Sequence, residues 1–346
     1  MRTTTGWQSA GGTELRRLPF ERRDLRDDDI AVRVDYCGVC HSDLHALQGL
    51  TGKPTEGMVP GHEFTGTVTE VGPSVTDFAV GDRVAVGTIV DSCGKCAMCQ
   101  AGQENFCLEG GVNTYGGTDR IDGTVTKGGY SREYVLRDKF AYRLPDGLDP
   151  AAAAPLLCAG ITTWEAMRAA GVGPGSKVAV AGLGGLGHLA VKFAAALGAE
   201  VTVLSRTPDK LDDARRLGAT DLVVTSDEAQ LRQSAWRFDL VLDTIPGPHE
   251  LSPLVDLLTL DGTLSVLGYP LQEPAPLIKL VYGRKKVTSS GTGGRRGTAE
   301  MLAFAAERGV VADVEVLPSG RVGEALERLA RGDVRYRFVL DLADLG

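Results

Sequence analysis

The stretch Val178-Ala179-Val180-Ala181-Gly182-Leu183-Gly184-Gly185-Leu186-Gly187-His188 decides how this chain is read. Four apolar residues lead into a G-x-G-x-x-G loop, and a helical pattern then runs from His188 to Leu197. A glycine loop alone is a weak signal, because glycine-rich turns are common. Here a strand precedes it, a helix follows, and a second strand, Val201–Leu204, comes about twenty residues on, the context a dinucleotide-binding loop requires. Gly182 permits the tight turn, Gly184 lets the backbone approach a pyrophosphate, and Gly187 allows close helix–strand packing. The helix start offers free N–H groups and a partial positive charge to phosphates. Leu183, Gly185 and Leu186 complete the loop.

The end of the second strand selects the cofactor. NAD calls for an acidic residue there to hold the ribose 2′-OH, whereas NADP tolerates no anion. The chain offers Ser205-Arg206-Thr207 and then Lys210, while Glu200 sits at the strand's other end. A hydroxyl, a guanidinium and an ammonium near one point suit a 2′-phosphate, so NADP(H) is expected. A solvated surface patch is the bland alternative.

Outward from this loop, strands and helices alternate. Asp221–Val224, Leu240–Leu242 and Leu264–Leu267 read as further strands and Pro208–Leu217 as a helix, which implies right-handed βαβ units and a parallel sheet. Upstream, an Ala-rich stretch from Ala151 to Ala170 reads as helical. The first half is β-rich: Ile30, Val32, Val34 and Tyr36 alternate with Ala31, Arg33 and Asp35, and Phe64–Val71 and Arg83–Val86 are β-prone. Two helices, Ala299–Arg308 and Val322–Arg331, and a last strand Arg337–Leu340 close the chain.

The 346 residues point to two domains. A net charge of −8 and the lack of a basic run argue against nucleic acid as a partner. No apolar stretch is long enough to span a bilayer, and Met1 to Asp24 shows no apolar signal core, so a cytoplasmic location is expected. All seven cysteines precede residue 160, which confines ligand chemistry to the first half. Four of them, Cys93, Cys96, Cys99 and Cys107, form C-x2-C-x2-C-x7-C, a complete thiolate set for one structural Zn²⁺. A redox pair or a disulfide clip is the competing reading of such spacing.

The remaining motifs are Cys37-Gly38-Val39-Cys40-His41-Ser42-Asp43-Leu44-His45, Gly61-His62-Glu63-Phe64, Gly81-Asp82-Arg83-Val84, Gly128-Gly129-Tyr130, Pro155-Leu156-Leu157-Cys158, Asp243-Thr244, Gly268 and Tyr336-Arg337-Phe338-Val339. With the cysteine lobe and the glycine loop, they resemble the zinc-dependent medium-chain dehydrogenase/reductase superfamily, and most of all its cinnamyl-alcohol-dehydrogenase branch of NADP-linked alcohol dehydrogenases. The resemblance implies an α/β chain: a Rossmann doubly wound parallel sheet domain (150–288) inserted in a β-rich GroES-like catalytic domain (1–149 and 289–346). It implies two zinc ions per chain, one of them catalytic and held by Cys40, His62 and Cys158. Cys₂His is the known alcohol dehydrogenase ligand set.

Further roles are implied in the same way. Glu63 is an alternating fourth ligand or a nearby carboxylate, and Asp43 orients His62 through its second ring N–H. Ser42 and His45 match a proton relay that runs through the cofactor ribose. His41, Thr162, Thr244 and Gly268 join the cofactor site, and Cys37 is structural. The substrate is a small aldehyde or alcohol, and the exposed edge strand of the nucleotide sheet pairs two chains into a homodimer. Two departures stand out: Gly110–Tyr115 holds no Trp, against a cinnamyl preference, and Ser289–Thr298 is Gly-rich with Arg295 and Arg296. A C=N or C=C reductase on the same scaffold, and a non-catalytic NADPH-binding protein, are the competing functions.

Overall fold

The computed structural model describes residues 1–268 and 277–346. They form two compact units, Met1–Cys158 with Gly293–Gly346, and Ala159–Thr292.

The second unit is built on a six-stranded parallel sheet. Its order is Asp221–Val224, Glu200–Ser205, Lys177–Ala181, Phe238–Asp243, Leu258–Val266, Lys286–Ser289. A parallel sheet covered on both faces needs strands that are apolar throughout rather than alternating. Val178, Ala179, Val180 and Ala181 accordingly are all at most 1% exposed. The helices Gly187–Ala196 and Leu211–Leu217 follow the second-unit strands as the βαβ pattern predicted. The left-handed turn at Gly218 (φ 110°) ends the latter helix, a conformation that glycine adopts without a Cβ clash.

In the first unit a seven-stranded mixed sheet carries the core. The strand Asp29–Val39 sits at its centre, antiparallel to Phe64–Val71, Arg337–Asp341 and Glu133–Arg137. Ile30, Val32, Val34, Phe64, Tyr134, Phe338 and Leu340 are all at most 2% exposed in one cluster. The register sets Cys37 opposite both Phe64 and Leu340. The three strands therefore end or begin together, so Cys40, the pair His62-Glu63 and Arg337 emerge at one end of the sheet.

One expectation from the sequence needs correction. Ala151 to Ala170 is not one helix: Pro150–Ala153 is α-helical, Ala154–Leu157 is a 3₁₀ turn, and Ala159–Ala169 is a separate helix. The break falls at Cys158 (φ −126°, ψ −72°), just after a turn that contains Pro155, which cannot continue the hydrogen-bond ladder. The compact units part at Cys158/Ala159 and Thr292/Gly293. The segment Pro150–Leu157 packs on the strands Asp29–Val39 and Phe64–Val71 and so lies in the first unit. Arg2–Ser9 and Leu15–Arg22, which carry no clear strand pattern in the sequence, form an antiparallel hairpin.

Candidate metal and nucleotide sites

Cys40 directly follows the central strand Asp29–Val39 and caps the short helix His41–Leu47. Its Sγ lies 3.9 Å from Cys158 Sγ, which in turn is 3.2 Å from His62 Nε2. The three ligand atoms all lie within 4.8 Å of one another, and Cys40 and His62 are buried. Two soft sulfurs and an imidazole in this compact array fit zinc, and three protein donors are what a catalytic zinc site offers before an exogenous ligand completes it. A hydrogen bond from Cys158 holds the Cys40 thiol well below the usual thiol range, with Arg337 and His62 contributing. Thiolate character is what a metal requires.

Asp43, fully buried, organises the site. Its two oxygens accept from the backbone N–H groups of Cys40 and Gly61, each at 3.0 Å, from His62 Nδ1 at 3.0 Å, and from the Tyr130 hydroxyl at 3.3 Å. Because Nδ1 donates to this carboxylate, Nε2 is the nitrogen left to face the sulfurs. Burial opposes a charge on His62, but Asp43 raises its pKa well above the ordinary value.

Glu63 is also buried, and Arg337 donates to its Oε1. Its carboxylate is not among the atoms that converge within 4.8 Å, and its Oε2 has no hydrogen-bond partner among the described residues. Burial pushes its pKa up to about 7 against the pull of Arg337. A Cβ on Gly38 would come within 2.7 Å of Glu63 Cδ, so glycine at this position makes room for the carboxylate. Ser42 is exposed on the first turn after Cys40, with its Oγ 3.7 Å from Cys40 Sγ, and the His45 ring lies 6.1 Å from that of His41, tilted by 54°. Three contributors escaped the sequence reading: Arg337 as the partner of Glu63, Tyr130 as a partner of Asp43, and Tyr115, whose ring lies 5.7 Å from that of His62. The only signal for Arg337 was a cation opening an apolar strand.

The four lobe cysteines also converge within 4.8 Å, and none of the seven cysteines is disulfide-bonded. Cys96 Sγ lies 3.5 Å from Cys99 Sγ, and backbone N–H groups of Cys96 and Leu108 point at the sulfurs of Cys93 and Cys96, both at 3.4 Å. Hydrogen bonds from the backbone of Cys99 and Leu108 bring the Cys96 thiol down to about 6. A closed four-sulfur shell leaves no open position and suits a structural metal.

In the second unit the loop Gly182–Gly187 adopts the strained turn that its glycines permit. Gly182 has φ +88°, and a Cβ on Gly187 would meet Thr244 Oγ1 at 3.0 Å. Thr244 in turn donates to Ala181 O at 2.9 Å, and a Cβ on Gly268 would collide with the backbone of Ile245. Gly184 has open space where its Cβ would be, as close backbone approach to a phosphate needs. Ser205 ends the strand Glu200–Ser205 with Arg206 exposed beside it, while Glu200 lies at the opposite end. Lys210 Nζ donates to Leu183 O at 3.2 Å, which brings the ammonium to the glycine loop. Thr162 accepts from the N–H of Thr292 at 3.1 Å. Asp243 is fully buried and bonded to His249 Nε2 at 3.0 Å.

A metal-ligating β-rich unit joined to a Rossmann-type unit defines the class of metal-dependent dinucleotide oxidoreductases. Residues 26–146 match the alcohol dehydrogenase GroES-like domain, and residues 185–307 match the zinc-binding dehydrogenase domain. The chain is 47% identical over 333 residues to a probable formaldehyde dehydrogenase, AdhA, of Bacillus subtilis, covering 96% of this chain and 95% of that one. It is 46% identical over 349 residues to an NADP-dependent alcohol dehydrogenase C of Mycolicibacterium smegmatis, covering 100% and 99%. Its fold matches a cinnamyl alcohol dehydrogenase of Sorghum bicolor with a TM-score of 0.94 at 43% identity over 99% and 98% of the two chains. A cinnamyl alcohol dehydrogenase of Helicobacter pylori complexed with NADP(H) matches at 0.92 and 32%, over 98% of each chain. The chain belongs to the zinc-dependent alcohol dehydrogenase family, in its cinnamyl-alcohol-dehydrogenase-like group.

Proposed function

We propose that the protein is an NADP(H)- and zinc-dependent alcohol dehydrogenase/aldehyde reductase that moves a hydride between the nicotinamide and a primary alcohol or aldehyde. The observation that carries this reading is the gathering of Cys40, His62 and Cys158 around one point. Zinc held there supplies Lewis acidity toward the substrate oxygen, and bound NADP(H) supplies or takes the hydride. The four lobe cysteines hold a second, structural zinc.

Within the chain, Asp43 fixes the ring of His62, and buried Leu44, Leu47 and Val59 help exclude water around this part of the fold. Ser42 holds the hydroxyl proton of the substrate, and His45 receives it near the surface, a task suited to an imidazole. Ser205, Arg206 and Lys210 receive the 2′-phosphate, and the loop Gly182–Gly187, with Thr162, Thr244, Gly268 and His41, receives the rest of the cofactor. Glu63 acts from behind the ligand set, tied to Arg337, in place of a standing fourth ligand. The relay pair and the full ligand set favour carbonyl chemistry over reduction of C=N or C=C bonds.

The assembly is a homodimer through the edge strand Lys286–Ser289, beside which Leu277, Ile278, Val281 and Tyr282 are between 63% and 80% exposed. Such an apolar patch at a sheet edge suits a second copy. Among the described residues no helix is long and apolar enough to cross a membrane. A cytoplasmic setting fits seven free cysteines. Turnover of an aldehyde and alcohol panel with NADPH and NADH, with zinc counted in the same samples, tests the reading. Cofactor binding without turnover on any carbonyl or alcohol would overturn it.

A further inference from the structure

Arg22 is a buried cation with no carboxylate partner among the described residues, 8% exposed and packed against the rings of Phe20 and Tyr134 at 5.0 and 4.5 Å. Burying a charge this way is costly unless hydrogen bonds replace its water. Among the described residues, the guanidinium's bonds all go to the loop before the strand Glu133–Arg137 and to that strand's first residue: Nε to Glu133 O at 2.6 Å, Nη1 to Lys127 O at 2.7 Å, and Nη2 to Gly128 O and Ser131 Oγ, both at 2.8 Å. That loop carries Tyr130.

The loop is also stitched to the segment that leads into His62. Gly128 N–H donates to Val59 O at 2.7 Å, Gly129 N–H to Gly61 O at 2.8 Å and Tyr130 N–H to Pro60 O at 3.0 Å. Added Cβ atoms on Gly128 and Gly129 would strike the backbone of Pro60 and the ring of Phe64, so the approach admits only glycine. Through this contact the Tyr130 hydroxyl, fully buried, reaches Asp43 Oδ2. Asp43 can accept about four hydrogen bonds, and Tyr130 provides the fourth.

We infer that Tyr130, clamped by Arg22, is a positioning residue that holds the Asp43 carboxylate, and through it the His62 ring, for metal capture by Cys40, His62 and Cys158. This rests on the zinc reading of that site. Groups that orient metal ligands from behind typically change affinity about 10–100-fold when removed. Tyr130→Phe keeps the ring and the packing and deletes only the hydroxyl, so a purely structural tyrosine would tolerate it. Arg22→Lys keeps a buried cation but cannot reach all four acceptors, and it should act in the same direction.

The test is zinc loss to a chelator, followed by alkylation of individual cysteines and mass spectrometry of their peptides, since bound metal protects its sulfurs. The four lobe cysteines are the internal control. In Tyr130→Phe we expect Cys40 and Cys158 to be released about tenfold faster, with Cys93, Cys96, Cys99 and Cys107 unchanged. Unchanged release of Cys40 and Cys158 would overturn the inference, and so would equal acceleration at both sites, which marks general loosening. If Cys40 and Cys158 of the unsubstituted protein were alkylated at once while the lobe stayed protected, the zinc reading itself would fail, and the inference with it.

Discussion

Glu63 and Arg337 form an ion pair inside the first unit with side chains 0% and 3% exposed, joining the segment that bears His62 to the last strand of the sheet. The pair is sealed from water on both sides, so neither charge has an alternative partner in solvent.

Removing one member should therefore cost more than removing both. Arg337→Met leaves a buried carboxylate alone and is expected to lower stability by about 3–5 kcal/mol. The double variant Glu63→Gln/Arg337→Met should recover much of that loss. Urea unfolding of the parent, both single variants (Glu63→Gln and Arg337→Met) and the double variant measures it, and additive losses would show that the two charges do not act on each other.

Arg206→Ala should weaken NADPH binding about tenfold to a hundredfold, the worth of a charge-assisted hydrogen bond of about 1.5–3 kcal/mol. NADH binding should stay the same. Adding Ser205→Asp places a carboxylate at the strand end and should reverse the preference. Fluorescence titration with both cofactors gives the ratio directly.

The two thiolate sets should fail differently. Cys158→Ser is expected to keep the fold, bind about one zinc per chain instead of about two, and lose turnover. Cys107→Ser should also bind about one but lower the melting temperature, because metal binding is part of the lobe's folding free energy. Metal analysis alongside thermal unfolding separates the outcomes. Equal melting temperatures would remove the structural role from the lobe.

Acid stability should depend on Asp119, which pairs with Arg26 at 2.9 Å. Burial works against its charge, but Arg26 and the N–H groups of Ile121 and Asp122 bring its pKa down from 3.8 to about 2. A folded pKa below the unfolded one means the contribution is complete above 3.8 and fades as pH falls toward 2. Asp119→Asn should therefore destabilise the protein at neutral pH and narrow its gap from the parent as the pH drops through that window. A constant gap in unfolding free energy from pH 6 to about 2 would contradict the linkage.

Much of this molecule was legible before any coordinates. The glycine loop, the alternating strands after it and the cysteine spacing of the lobe are local patterns, fixed by turn geometry, side-chain period and the reach of a few residues. The relation of Ser205 and Arg206 to the glycine loop was equally readable, since one βαβ unit contains both. Where local pattern competed with tertiary demand it misled: the alanines from 151 onward favour helix, yet the chain breaks at Cys158.

Only the folded chain decided which distant residues meet. Sequence alone cannot state that Cys40, His62 and Cys158 lie within 4.8 Å, because their approach depends on antiparallel register along Asp29–Val39 and on the turn Ala154–Leu157 packing against it. The same holds for Arg22 gripping the loop of Tyr130, and for Arg337 answering Glu63 across 274 residues. Buried charges leave no periodic trace in a sequence. Their partners are chosen by packing, where each unpaired group would be too costly to keep.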